Sequence, residues 1–161
     1  MRAPWTPNLP SASPPPRLLL AGALALAGTL AGCGYDVGPP RINNVEALTS
    51  SGQRITAPLG NGIETSFDGR HIPASAPILL TFSEQVDPQS VQEHIWIFND
   101  NDKTRAPIDY MLVADQLYLR PRGGTLTAQK NYYVNIEPGV KDTSGNSSSQ
   151  QYHVNFYADL P

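Results

Sequence analysis

One cysteine in 161 residues means that no disulfide forms within the chain and no set of thiolates holds a metal. Charge is sparse as well, at 16% of residues with a net charge of −3. Clustered Lys and Arg, which a nucleic-acid partner requires, are missing, so that class of partner is excluded. The histidines are His71, His94 and His153, and no two stand at the i, i+4 spacing that presents a zinc pair on a helix. No serine sits in a G-x-S-x-G elbow. No apolar run approaches the roughly 20 residues of a spanning helix. The longest, residues 18–30, has thirteen, and beyond it no stretch keeps a 3.6-residue apolar period, which excludes a helical bundle.

What is present begins with that run. Arg2 and Arg17 precede it, no acid occurs before Cys33, and the run is apolar apart from glycine and Thr29. These are the charged, apolar and small-residue parts of a secretory signal, which is removed rather than folded. Its end, Leu30-Ala31-Gly32-Cys33, resembles a bacterial lipobox. The resemblance implies a diacylglyceryl group on the Cys33 thiol, cleavage before Cys33 and acylation of the new amino terminus, palmitate being the usual acyl chain. Such anchoring needs two or more chains, each buried methylene contributing about 0.8 kcal/mol. Residues 1–32 are then a signal peptide, 33–40 an anchor and Gly/Pro-rich linker, and 41–161 the folded domain. Loss of two arginines from eleven basic residues leaves nine against fourteen acids, a mature balance of −5. Gly34, standing where some inner-membrane lipoproteins carry Asp, favours the outer membrane in a Gram-negative cell.

Apolar alternation dominates the rest. Ile42, Val45 and Leu48 suggest a first strand. Residues 49–70 are broken by Ser50-Ser51-Gly52, Pro58, Gly60-Asn61-Gly62 and Asp68-Gly69, and are read as a long loop with at most a short hairpin through Ile55 and Ile63. From there alternation is regular: Ile78, Leu80 and Phe82; Ile95 to Phe98; Ile108 to Val113; Leu117 to Arg120; Tyr132, Val134 and Ile136; Tyr152, Val154 and Phe156. About seven short strands without an intervening long helix predict an all-β sandwich. Asp87 with Pro88 predicts a capped single helical turn between two of them.

Three blocks, Pro77 to Pro88 (PILLTFSEQVDP), Leu126 with Tyr132, and Gly139 to Asn146 (GVKDTSGN), resemble the bacterial Ig-like domain of the SbsA type. The resemblance is firm from residue 77 and departs from the family pattern at Gln85, where proline is usual, and in the length of 49–70. It implies a seven-stranded Ig-like sandwich serving as a spacer or adhesion module, with no catalytic residue. Tyr132 then resembles a tyrosine corner, its hydroxyl bonded to backbone in the preceding loop. Asp142 and Asn146 fold a turn in which Gly145 supplies a positive φ, and Ser83-Glu84 and Asp87-Pro88 shape the exit from the second strand, which ends at the motif residue Phe82.

Other constellations have weaker chemistry. Asp100, Asn101 and Asp102 with Asp115 or Asp142 offer oxygens to calcium, but the run lacks the glycine and distant glutamate of an EF-hand, and such clusters are ordinary turn residues. Glu84 and Asp87 are spaced as turn-shaping acids rather than as a glycosidase pair. No cofactor, metal site or enzyme activity is expected. Trp96, Tyr110, Tyr118, Tyr133 and Tyr157 stand at positions that alternation does not uniformly bury; cross-strand packing is their ordinary role, and stacking on a sugar or anchoring a protein is the alternative. The expectation is a lipid-anchored envelope module for binding, adhesion or scaffolding, with a membrane and an envelope protein or polysaccharide as partners. The alternative is a calcium-dependent or carbohydrate-binding accessory domain. A metal-dependent sensor or enzyme would instead gather Asp100, Asp102, His71 or His153 in one concave site.

Overall fold

The computed structural model describes residues 38–60 and 63–160. Cys33 and the lipobox residues Leu30, Ala31 and Gly32 lie outside the described residues. No described helix is long and apolar enough to cross a membrane.

Two five-stranded sheets face each other. The first orders its strands β2-β1-β4-β8-β7, from β1 (Ile42–Leu48), β2 (Arg54–Ala57), β4 (Ile78–Phe82), β7 (Ile108–Val113) and β8 (Gln116–Pro121). The second runs β3-β10-β9-β5-β6, from β3 (Glu64–Pro73), β5 (Ile95–Asn99), β6 (Thr104–Arg105), β9 (Lys130–Ile136) and β10 (Tyr152–Asp159). All ladders are antiparallel except β3 with β10. The terminal strands β1 and β10 each have a neighbour on both sides.

Alternation builds the core as the sequence predicts. Leu80 lies between Val45 and Leu117, and Val134 between Ile97 and Val154, all of them fully buried. Each such side chain stabilises the sandwich by about 1.5–3 kcal/mol relative to exposure. Leu79 departs from the pattern. It points to the outer face yet is 0% exposed, lying in register between Glu46 and Tyr118. Glu46, also buried, is held by Arg54 at 2.7 Å.

Residues 49–70 are not a loop. They contain β2, which folds back on β1, and most of β3, which crosses to the other sheet to pair with β10. No hairpin joins Ile55 to Ile63; Ile55 pairs with Ala47 instead. The ten strands are thus the seven expected ones plus β2, β3 and the two-residue β6.

The one helix among the described residues, α1 (Pro88–His94), begins where Asp87 caps it: the Ser90 N–H donates to Asp87 Oδ2 at 2.9 Å, and Pro88 takes the first turn. It ends by extension into β5 at Ile95.

Candidate binding face

Two of the three motif blocks, 77–88 and 139–146, meet at one end of the sandwich. Val86 bridges Asp142, the Asp87 N–H donates to the Lys141 carbonyl at 2.8 Å, and the Lys141 N–H donates to Ser90 Oγ at 2.9 Å. Asp142 is buried and accepts from Ser144 N, Asn146 N and Asn146 Nδ2 at 2.7–2.8 Å. Gly145, at φ +93°, closes the turn. Burial raises the Asp142 pKa, but the Asn146 side chain and the backbone N–H groups of residues 144–146 outweigh it, so the carboxyl titrates below the ordinary 3.8. A carboxylate whose folded pKa is depressed stabilises the fold above its unfolded value, and that contribution disappears as pH falls through the folded value. The wild-type advantage in melting temperature over Asp142→Asn is therefore expected to hold at neutral pH and shrink below about pH 4. A difference independent of pH down to about pH 2 would refute this role.

Phe82 is buried in the core at the strand exit. Tyr132 buries its ring against Phe156, with centroids 5.7 Å apart, and donates its hydroxyl to the Thr127 carbonyl at 3.2 Å. Tyr110 likewise points inward and donates to the Ile95 carbonyl at 2.7 Å, its pKa raised by burial. All of these are framework residues.

The acids considered for calcium are separated. Among the described residues no group of three His, Cys, Asp or Glu side chains converges. Asp100 pairs with Lys103, and Asp102 accepts from the Thr104 hydroxyl at 2.6 Å and N–H at 3.0 Å. Those bonds, the side-chain one first, hold the Asp102 carboxyl below its ordinary range. Asp115 lies in the β7–β8 turn, where its carbonyl accepts from Phe82 N. His71 and Asp100 do share one cleft, but Asp102 lines another and His153 packs on Tyr133.

The outer face of the second sheet is different in kind. Outward positions of a sandwich are ordinarily polar. Here β5 contributes Trp96 and Phe98, β9 Tyr133, β10 His153 and Tyr157, and β3 His71. Pairing registers bring them together: Trp96 opposes Asn135, and Phe98 opposes Tyr133, which opposes Asn155. The rings form a row, with Trp96–Phe98 centroids 6.0 Å apart, Phe98–Tyr133 5.4 Å and nearly parallel, and Tyr133–His153 5.4 Å. Arg105 on β6 places its guanidinium 3.9 Å from the Trp96 ring centre. Beside the row a cleft of about 450 Å³ opens where β3 departs from β10, lined by Ser66, His71, Asp100, Asn131, Asn155 and Tyr157. His71 packs against Tyr157, with centroids 4.7 Å apart and planes tilted by 42°, and its Nδ1 lies 3.0 Å from Asp159 Oδ2.

The bacterial Ig-like domain model matches residues 65–158. No curated protein matches the chain. Among solved structures, the N-terminal part of the bacterial S-layer protein SbsC is similar at 16% identity and a TM-score of 0.44, covering 73% of this chain. The chain spans 23% of that structure's length. With more than half of its residues matched, including the 83–88 and 139–146 blocks that the fold joins, this chain belongs to the bacterial Ig-like domain family.

Proposed function

We propose that this protein is a lipid-anchored Ig-like module of the bacterial cell envelope, tethered through Cys33 and displaying its sandwich for binding, adhesion or scaffolding without catalysis. The observation that carries the reading is Leu30-Ala31-Gly32-Cys33 at the end of a thirteen-residue apolar run, with the first strand beginning nine residues after the cysteine. So short a linker holds the sandwich close to whatever surface the lipid occupies. Family membership supports a structural or binding role at the cell surface. The motif acids Asp87 and Asp142 serve a helix cap and a turn, which supports a structural role for those blocks. In a cell with two membranes, Gly34 after the cysteine favours the outer one.

The intact mass of the full chain, expressed in a bacterium and extracted from its membranes, tests this. The expected species begins at Cys33 and carries lipid, and it partitions into detergent. Cys33→Ser is expected to yield no lipidated species. A wild-type mass equal to unmodified residues 33–161, or to the uncleaved chain, would overturn the anchor.

A further inference from the structure

We propose that the outer face of the second sheet binds a neutral polysaccharide, the half-buried rings of Phe98, Tyr133 and His153 packing on pyranose faces while the adjoining cleft takes sugar hydroxyls. This rests on the display role above and names its partner.

The chemistry of the face selects that ligand. Phe98, Tyr133, His153 and Tyr157 are half-buried, so each ring keeps an open edge or face to solvent. Aromatic surface of this kind pairs with apolar C–H groups while leaving polar tips free. One exposed amide stands among the rings: Asn155 continues the Phe98–Tyr133 pair in register, whereas Asn135, between Trp96 and His153, is buried with its Nδ2 donating to Glu137 Oε1. Amides present both donors and an acceptor, the complement of hydroxyl groups. The cleft adds Asn131, the Ser66 hydroxyl and the Asp100 carboxylate on the same face.

Charge argues for neutrality. Among the described side chains of this face, Lys103 is occupied by Asp100, His71 by Asp159 and Arg105 by the Trp96 ring, and the exposed Lys130 at the start of β9 stands alone, so they form no line of free cations to track a polyanion. The dimensions also suit a polymer. The row crosses from β5 to β10, two strand spacings or about 10 Å, and the cleft extends it past the edge of β10.

Trp96 adds an independent observation. It is 6% exposed, and its Nε1 has no hydrogen-bond partner. Buried indole N–H groups ordinarily find an acceptor. Arg105, exposed at the sheet edge, covers this ring, so Trp96 underlies the row and reports on it rather than touching a sugar.

The test uses the full chain carrying Trp5→Phe, which leaves Trp96 as its sole tryptophan. Hydroxyethylcellulose and chitin oligosaccharides serve as neutral probes, and heparin as the polyanion control. Expected results are retarded migration in hydroxyethylcellulose gels or a saturable shift of Trp96 emission with chitin oligosaccharides, and no response to heparin. Tyr133→Ala should weaken binding about 10-fold while Tyr133→Phe stays near wild type, as for an anchor ring at an interface. Tyr118→Ala, on the other sheet, should bind normally. If Tyr133→Ala does not fold, His153→Ala replaces it. Failure of both neutral probes, preference for heparin, or full binding by a folded Tyr133→Ala or His153→Ala would each overturn the proposal. A variant that loses contact with an envelope protein while no glycan binds would make the face a protein interface, and this too overturns it. The lipid mass measured above is independent of all these outcomes, so the anchor and the sugar face fail separately.

Discussion

Phe67→Ala is expected to cost the domain about 3–5 kcal/mol, the usual range for emptying a buried aromatic site. Phe67 is 0% exposed and meets Phe156 edge-on, with centroids 6.0 Å apart and planes at 86°. It therefore joins β3 to the core across the same strand with which β3 pairs. A domain of this size has a total stability of about 5–15 kcal/mol, so the variant would sit near the edge of folding. Urea unfolding monitored by circular dichroism measures the loss. Had residues 49–70 been a solvated loop, the same substitution would cost under about 0.5 kcal/mol, and a result that small would remove β3 from the core. The same logic governs deletions. Removing residues 49–70 takes out β2 and most of β3, so loss of partner capture by such a deletion would report unfolding rather than a missing binding loop.

Gly139→Ala is the second large effect, for two separable reasons. Gly139 has φ +120°, a conformation that side-chain-bearing residues adopt at a cost of about 1–3 kcal/mol. A Cβ there would also lie 2.3 Å from His94 Cε1 and under 3 Å from both ring nitrogens. The imidazole must swing away from a turn where the neighbouring backbone is tied, Gly139 N donating to Ser148 O and Glu137 N to His94 O, each at 2.8 Å. A combined loss of about 2–4 kcal/mol is expected, seen as a fall of roughly 10 °C or more in melting temperature. Introduced into a His94→Ala background, Gly139→Ala should cost only the backbone part, and the difference measures the steric part. Equal losses in both backgrounds would mean that the ring yields freely and only φ matters.

The sandwich was legible because six of its strands carry short runs of β-forming or alternating apolar residues and their stops are Pro, Gly and Asp/Asn turns, whereas β1, with a register shift after Ile42, showed only scattered apolar residues. Asp87, Pro88 and Gly145 declare their roles through side-chain and backbone preferences that need no tertiary context. β3 was illegible for a definite reason. Its two core residues, Phe67 and Ile72, are five positions apart, which places them on opposite faces of any regular strand. The chain corrects the parity by a register shift: Ser66 pairs with Asn155 and His71 with Tyr157, so five residues of β3 face two steps of β10. Asp68-Gly69, which reads as a break, lies inside that shift. β2, four residues long with two exposed, offers too short a pattern to distinguish from a turn.

The ring row was half legible. Parity alone puts Trp96 and Phe98 opposite Ile95 and Ile97, and Tyr133 opposite Tyr132 and Val134. Their meeting was hidden, because it depends on how β5, β9 and β10 align, and no local preference encodes that register. Leu79 shows the converse error, since an outward position can still be buried when Glu46 and Tyr118 close over it.

The placement of β1 and β10 has a mechanical consequence. Ile42 N donates to Gln150 Oε1 at 2.6 Å, so the start of β1 lies beside the approach to β10, and β10 then runs away from it for eight residues. Tension between an anchor ahead of β1 and an attachment beyond β10 would act along the strand axes from opposite poles. Each strand is gripped by ladders on two sides, so such a pull would load many hydrogen bonds at once in shear rather than opening them one by one.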